Sequence, residues 1–153
     1  MIKINMKYSV EIKKNIPKKK LIKKWVKKII KNSIKKTIIT IKIVNKNKIK
    51  KLNYLYKHKN KQTNILSFTI IDPQENNNTF LMGDLVICKS IIEKESKKYC
   101  IKISERWAHM IIHGVLHLMG YVHNNLSSQK KMETLEIKNM ISLGFKNPYF
   151  YNK

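Results

Sequence analysis

Glycine and proline are scarce, at four and three residues in 153. Flexible linkers are rich in such residues, and no composition shift divides the chain. No repeat at solenoid or propeller periods is visible. A single domain over residues 1–153 is therefore expected. Cysteine is scarcer still: Cys88 and Cys100 stand alone, without paired spacing. Two such thiols make no disulfide framework. Long apolar runs are also missing. No stretch approaches the ~18 uncharged apolar residues of a membrane span. Met1 to Val10 lacks the apolar core and small-residue cleavage site of a secretion signal. A soluble cytoplasmic protein, with no membrane partner, is expected.

The sharpest shortage is of acid. Nine Asp and Glu face 33 Lys and Arg, a formal net charge of +24. Self-repulsion of that size opposes compaction, and a polyanion relieves it. Nucleic acid is the obvious polyanion. Yet the basic residue is almost all lysine, and lysine, isoleucine and asparagine all have AT-rich codons. A biased genome would enrich all three, so the charge supports an RNA partner without establishing one.

Folding is not in doubt, because 42% of residues are hydrophobic and disordered chains are poorer. Ile4 to Glu11 reads as a strand. Pro17 suits the first turn of a helix, and Leu21, Ile22, Trp25, Val26, Ile29 and Ile30 recur at helical spacing between lysines. Thr37 to Val44 is a β-branched strand. Asn45 can cap a short helix through Leu55. Asn64 to Ile70 and Phe80 to Cys88 read as strands, separated by a polar loop from Asp72 to Thr79. Gly83 interrupts the later strand, which marks a bulge or a close approach. Helices are expected over Ser90–Tyr99, from a Ser104 cap to Met119, and over Ser128–Leu143. The expected fold is mixed α/β (α+β): a sheet of about four strands packed by helices.

Four of five histidines lie between residues 109 and 123. The informative stretch is His113-Gly-Val-Leu-His117-Leu-Met-Gly120-Tyr-Val-His123. His113 and His117 fall one turn apart on one helix face. Two imidazoles so placed can reach one cation at about 2.0–2.1 Å. Gly120 ends the helix and lets the chain bring His123 back over that face. Three neutral nitrogens leave a fourth position for water, the pattern of a catalytic rather than a structural zinc site. Zinc is the foremost divalent ion for it, and nickel, copper and manganese are alternatives. The spacings are those of the metzincin motif, H-E-x-x-H-x-x-G-x-x-H. The motif's glutamate, the general base of proteolysis, is Gly114 here. The ligand geometry is zincin-like, and proteolysis is not expected.

His109 lies about 12 Å along the helix axis from His117, so it reads as a packing or supporting residue and not a ligand. His58 reads as exposed. Among the acids, Glu105 suits a helix N-terminus, and Asp84 is the candidate acid for the site or its support.

With these residues in place, the chain closely resembles the YbeY endoribonuclease family of bacterial rRNA maturation factors. The family signature H-G-x-L-H-L-x-G-Y-D-H matches His113 to His123. Leu52-Asn53 and Thr63-Asn-Ile-Leu-Ser-Phe68 match a second segment, and Met82-Gly-Asp-Leu-Val-Ile87 a third. Glu133 to Tyr149, with Leu143-Gly-Phe145 and Asn147-Pro-Tyr149, match a fourth. The signature aspartate is Val122 here, and the family's arginine is Lys57. The resemblance implies a zincin-like metal-site helix and a metal hydrolase of single-stranded RNA. It further implies work on 16S rRNA 3′ ends and ribosome quality. Lys57 would then be catalytic, holding phosphate, and Tyr121 or Phe68 could stack on an unpaired base. The alternative is a non-catalytic, metal-containing RNA- or ribosome-binding assembly factor, which Val122 and Lys57 would suit.

Overall fold

A computed structural model of the chain describes residues 1–11 and 13–150. Residues 12 and 151–153 of the expected domain lie outside the described residues. Its elements run β1 (Ile2–Tyr8), α1 (Lys19–Ile29), β2 (Lys36–Val44), α2 (Lys46–Lys57) and β3 (Ile65–Ile71). After a 3-10 turn at Pro73–Asn76 come β4 (Phe80–Cys88), α3 (Lys89–Lys98), α4 (Ile103–Leu118) and α5 (Leu126–Ser142). The strands form one mixed sheet in the order β1-β2-β4-β3. β1, β2 and β4 are parallel, and β3 pairs antiparallel with β4 at the edge. The fold class is as expected from the sequence.

Alternation decides which face of the sheet is covered. Ile39, Ile41 and Ile43 of β2 and Leu81, Leu85 and Ile87 of β4 are buried on one face. The apolar stripe of α1 (Ile22, Trp25, Val26, Ile29) and the buried apolar residues of α4 belong to the core on that face. Each such large side chain contributes about 1.5–3 kcal/mol when buried. The other face carries only a small cluster, Val44, Leu66, Val86 and Cys88, beneath Ile49 and Leu52 of α2. α4 is thus the central helix, and whatever its C-terminal end presents is held against a rigid sheet.

Several boundaries differ from the sequence reading. β1 stops at Tyr8, opposite Ile43 near the end of its partner β2. Pro17 precedes α1 instead of sitting in its first turn, because Lys18 is still extended at ψ 148°. α4 starts at Ile103, with Lys102 in the N-cap position, because Ile103 packs against the core. Ser104 therefore sits inside the first turn. α5 is capped reciprocally by Asn125 and Ser128, which places Ser128 at the third helical position.

Gly83 meets both halves of its expectation. β3 shifts register between Thr69 and Ile71, directly beside Gly83. A Cβ at residue 83 would lie 2.6 Å from Leu118 Cδ2 and 2.9 Å from the Phe68 carbonyl oxygen. The carbonyl belongs to the backbone and cannot swing aside. Gly83→Ala should therefore cost about 1–3 kcal/mol, as overpacking does, read as a lower denaturation midpoint with unchanged m. An unchanged midpoint would show that α4 has room to move off the sheet.

Among the described residues, no helix is long and apolar enough to cross a membrane.

Candidate metal centre

The site grows from the way α4 ends. Met119 closes the helix, and Gly120 adopts φ +101°, a conformation open to glycine and strained for other residues. The Gly120 N–H bonds to the His117 carbonyl at 3.0 Å, and the Tyr121 N–H to the Leu116 carbonyl at 3.1 Å. That pair of bonds is a Schellman motif. It reverses the chain so that residues 121–123 fold back over the last turn. His123 thereby joins His113 and His117, with ring centroids 5.5 and 4.8 Å away.

One donor nitrogen from each of the three histidines lies within 4.8 Å of the other two. His113 Nε2 and His117 Nε2 are 3.1 Å apart. Two nitrogens bound to one tetrahedral ion at about 2.0–2.1 Å would be about 3.3 Å apart, so the geometry fits a shared divalent ion. Protonation favours it too. Burial, with the neighbouring His113 and His123, lowers the pKa of His117 to about 4. Burial and His113 also lower that of His123. Both shifts favour the neutral form, which keeps the lone pair a metal needs.

Support comes from an acid that the sequence reading did not single out. Glu136 of α5 is 1% exposed. Its carboxylate accepts from His109 Nε2 at 2.5 Å and from the Tyr149 hydroxyl at 2.9 Å. It lies 3.4 Å from His113 Nδ1. Burial alone would raise its pKa, but the hydrogen bonds from His109 and His113 outweigh burial and hold it at about 2. An Nδ1–H pointed at Glu136 leaves His113 Nε2 free to face the ion, the usual way a carboxylate fixes a ligand's tautomer. His109 is fixed in turn. Arg106 Nη1 donates to His109 Nδ1 at 3.2 Å, so the His109 proton sits on Nε2, facing Glu136. Burial keeps the pKa of His109 low despite that carboxylate. His109 is thus a supporting residue, as its helical offset suggested.

Asp84 does not serve the site. Gly83 and Leu85 face α4, so alternation turns Asp84 to the opposite side of the sheet, where it binds Lys42 Nζ at 3.1 Å. Phe68 also faces that opposite side, edge-on to Tyr56 at 5.1 Å. Tyr121 is half-buried against the core between Lys31 and Lys131. Neither aromatic lines the groove around the histidines. Gly114 has a packing reason of its own: a Cβ there would fall 2.7 Å from Leu85 Cδ2 and 2.8 Å from Ile65 Cδ1. The face on which zincins carry their catalytic glutamate is pressed here against the sheet.

The histidines lie in a groove of about 470 Å³ lined also by Asn53, Lys57, Lys59, Lys61, Ser67 and Thr69. Lys57 is the last residue of α2, and His58, exposed and left-handed at φ 56°, ends the helix. The loop beyond is pinned by Asn53, which is buried and donates from Nδ2 to the Lys61 carbonyl at 3.0 Å. Among the described residues, no acidic side chain lines this groove.

Comparison with known proteins identifies the family and the fold. Residues 5–144 match the family model described as Endoribonuclease YbeY. A Buchnera aphidicola (subsp. Schizaphis graminum) protein named Endoribonuclease YbeY is 51% identical over 137 residues, 90% of this chain and 86% of that protein. Its namesake from Buchnera aphidicola (subsp. Acyrthosiphon pisum) is 51% identical over 146 residues, 95% of this chain and 94% of that protein. The solution structure of TM1509 from Thermotoga maritima shares the fold, with TM-score 0.58 and 21% identity over 94% of this chain and 92% of that one.

Proposed function

Since the chain belongs to the Endoribonuclease YbeY family, we propose that residues 1–153 form one metal-dependent endoribonuclease domain that cuts unpaired RNA. His113, His117 and His123 hold one divalent ion, zinc foremost. The observation that carries this reading is the groove itself: three convergent imidazoles at a wall whose other charged groups are Lys57, Lys59 and Lys61. A site so short of acid suits a polyanion and disfavours a cationic or neutral substrate. When bound, a divalent ion there lowers the pKa of water towards ~7 and offsets charge on a phosphate.

The chain's own residues supply the rest. Lys57, Lys59 and Lys61 hold phosphates on either side of the scissile bond, and Asn53 keeps their loop in place. Glu136 orients His113. An unpaired strand can bend into such a groove, whereas the phosphates of an A-form duplex lie on a stiff convex surface. The maturation of 16S rRNA 3′ ends and ribosome quality control, in the cytoplasm, are the setting that the family resemblance gives for this chemistry. Proteolysis has no support, since residue 114 is glycine.

The test compares one RNA sequence unpaired and duplexed, with casein alongside. Chelator-sensitive cleavage of the unpaired strand alone is expected. Binding without cleavage would favour a non-catalytic assembly factor, and cleavage of casein would revive the peptidase reading.

Lys57 has its own expected outcome. A guanidinium grips phosphate through two bonds, while the lysine head is a compact, flexible charge. Lys57→Arg should raise turnover of unpaired RNA. Lys57→Ala should lower it roughly tenfold, the scale of one lost charged hydrogen bond, with metal content unchanged. Lys27, exposed on α1, is the control. Equal losses in Lys57→Ala and Lys27→Ala at matched salt would remove Lys57 from the site.

A further inference from the structure

The sheet face turned away from α4 is only partly roofed. α2 covers the region of Leu66 and Val86. Beyond it lies a second groove of about 460 Å³, lined by Lys7, Lys42, Lys48, Tyr56, Phe68 and Asp84 among others. Its charges are badly balanced. Lys7 and Lys42 are register partners on neighbouring parallel strands, so two like charges stand side by side. Asp84 binds Lys42 and is, among the described residues, the groove's only acid. Lys7 and Lys48 are exposed and have no acidic partner among the described residues. Beside them Tyr56 is 58% exposed, its ring braced edge-on by Phe68.

The two grooves are neighbours. Tyr56 and Lys57 are consecutive at the end of α2, and each lines a different groove. On β3, Ser67 and Thr69 line the histidine groove, while Phe68 between them lines the other. β3 is an edge strand, so only the width of that strand and the tip of α2 separates the two.

We propose that this open sheet face is a second RNA-binding surface, which takes the unpaired strand as it leaves the catalytic groove around the β3 edge. A base stacks on Tyr56, and phosphates meet Lys7, Lys42 and Lys48. This inference rests on the RNA reading above. A protein partner fits less well, because docking would bury three lysines against one acid. A flexible polyanion neutralises them while staying partly solvated, and aromatic platforms accept any base.

Steady-state cleavage of unpaired RNAs of about four and about sixteen nucleotides, which bracket the span of one single-strand groove, tests it with the intact enzyme. The short RNA fills only the catalytic groove. Lys7→Ala/Lys48→Ala and Tyr56→Ala should each raise KM for the long RNA about fivefold or more, leaving kcat and the short RNA untouched. Tyr56→Phe keeps the ring and should keep the wild-type KM. The double lysine variant should also flatten the salt dependence of the long RNA, by about 0.7 in log–log slope per lost contact. Unchanged KM for the long RNA in both alanine variants overturns the second surface and leaves the endoribonuclease reading intact. Equal losses on both lengths also overturn it, because the residues would then be acting through the catalytic groove. A wild-type chain that cuts neither length overturns the RNA reading and this inference together.

Discussion

His117→Ala should yield purified protein with no stoichiometric metal and no cleavage of unpaired RNA. His117 sits between the other two proposed ligands: its ring centroid is 4.6 Å from that of His113 and 4.8 Å from that of His123. Removing it leaves two imidazoles 5.5 Å apart, centroid to centroid, and the surviving pair cannot hold a cation well. Among the described residues, no carboxylate lines the groove to replace it. His113→Ala and His123→Ala should do the same. Elemental analysis after gel filtration reads the result. One metal per chain retained in all three variants would sink the ligand assignment. The fold should survive in the His123 variant, because His123 is exposed and follows the Schellman turn instead of forming it.

The second large effect is expected from Glu136→Gln. The substitution preserves shape and removes charge. The same oxygen of Glu136 now faces His109 Nε2, the Tyr149 hydroxyl and His113 Nδ1. A neutral amide oxygen has two lone pairs for three donors, and the new amide N–H groups have no acceptor among them. Metal affinity should fall by about 10–100-fold, the usual consequence of losing a carboxylate behind a ligand histidine. Stability should fall by about 1–3 kcal/mol, because a buried donor is left unmade. Competition titration against a chelator reads the affinity. Glu133→Gln, one turn earlier on α5 and bonded among the described residues to Gln129, is the control. Equal affinities for the two variants would mean that His113 is oriented by packing alone.

How much of this was legible in the sequence depended on distance along the chain. The three convergent histidines fall within 11 residues, so helix pitch and one glycine turn determine their meeting. No tertiary knowledge was needed. Glu136 comes from a different helix and enters only when α5 packs on α4. Its signal was faint but present: Met132, Glu136 and Met140 recur every four residues on the buried face of α5. A carboxylate on an apolar stripe demands a partner. Asp84 was misread for the opposite reason. Its position after Gly83 looked special, yet period-2 alternation puts it on the other face from its neighbours Gly83 and Leu85. Gly114 was read as the missing protease base, and its packing against Leu85 and Ile65 is a tertiary fact. The sheet order was not legible at all, because strand type says nothing about which edge β3 joins. Val122 proves to be 47% exposed, so the signature aspartate is replaced at a solvent-facing position, while the buried acid of the site lies elsewhere, at Glu136.

The central claim is that one ion, held by His113, His117 and His123, makes this basic groove an endoribonuclease. The most direct measurement is elemental analysis paired with turnover of an unpaired RNA before stripping, after stripping and after stoichiometric reloading. The account predicts about one divalent ion per chain at the start, loss of cleavage with the ion, and recovery on reloading in wild type but not in His117→Ala. Full turnover by the stripped wild-type protein would contradict it.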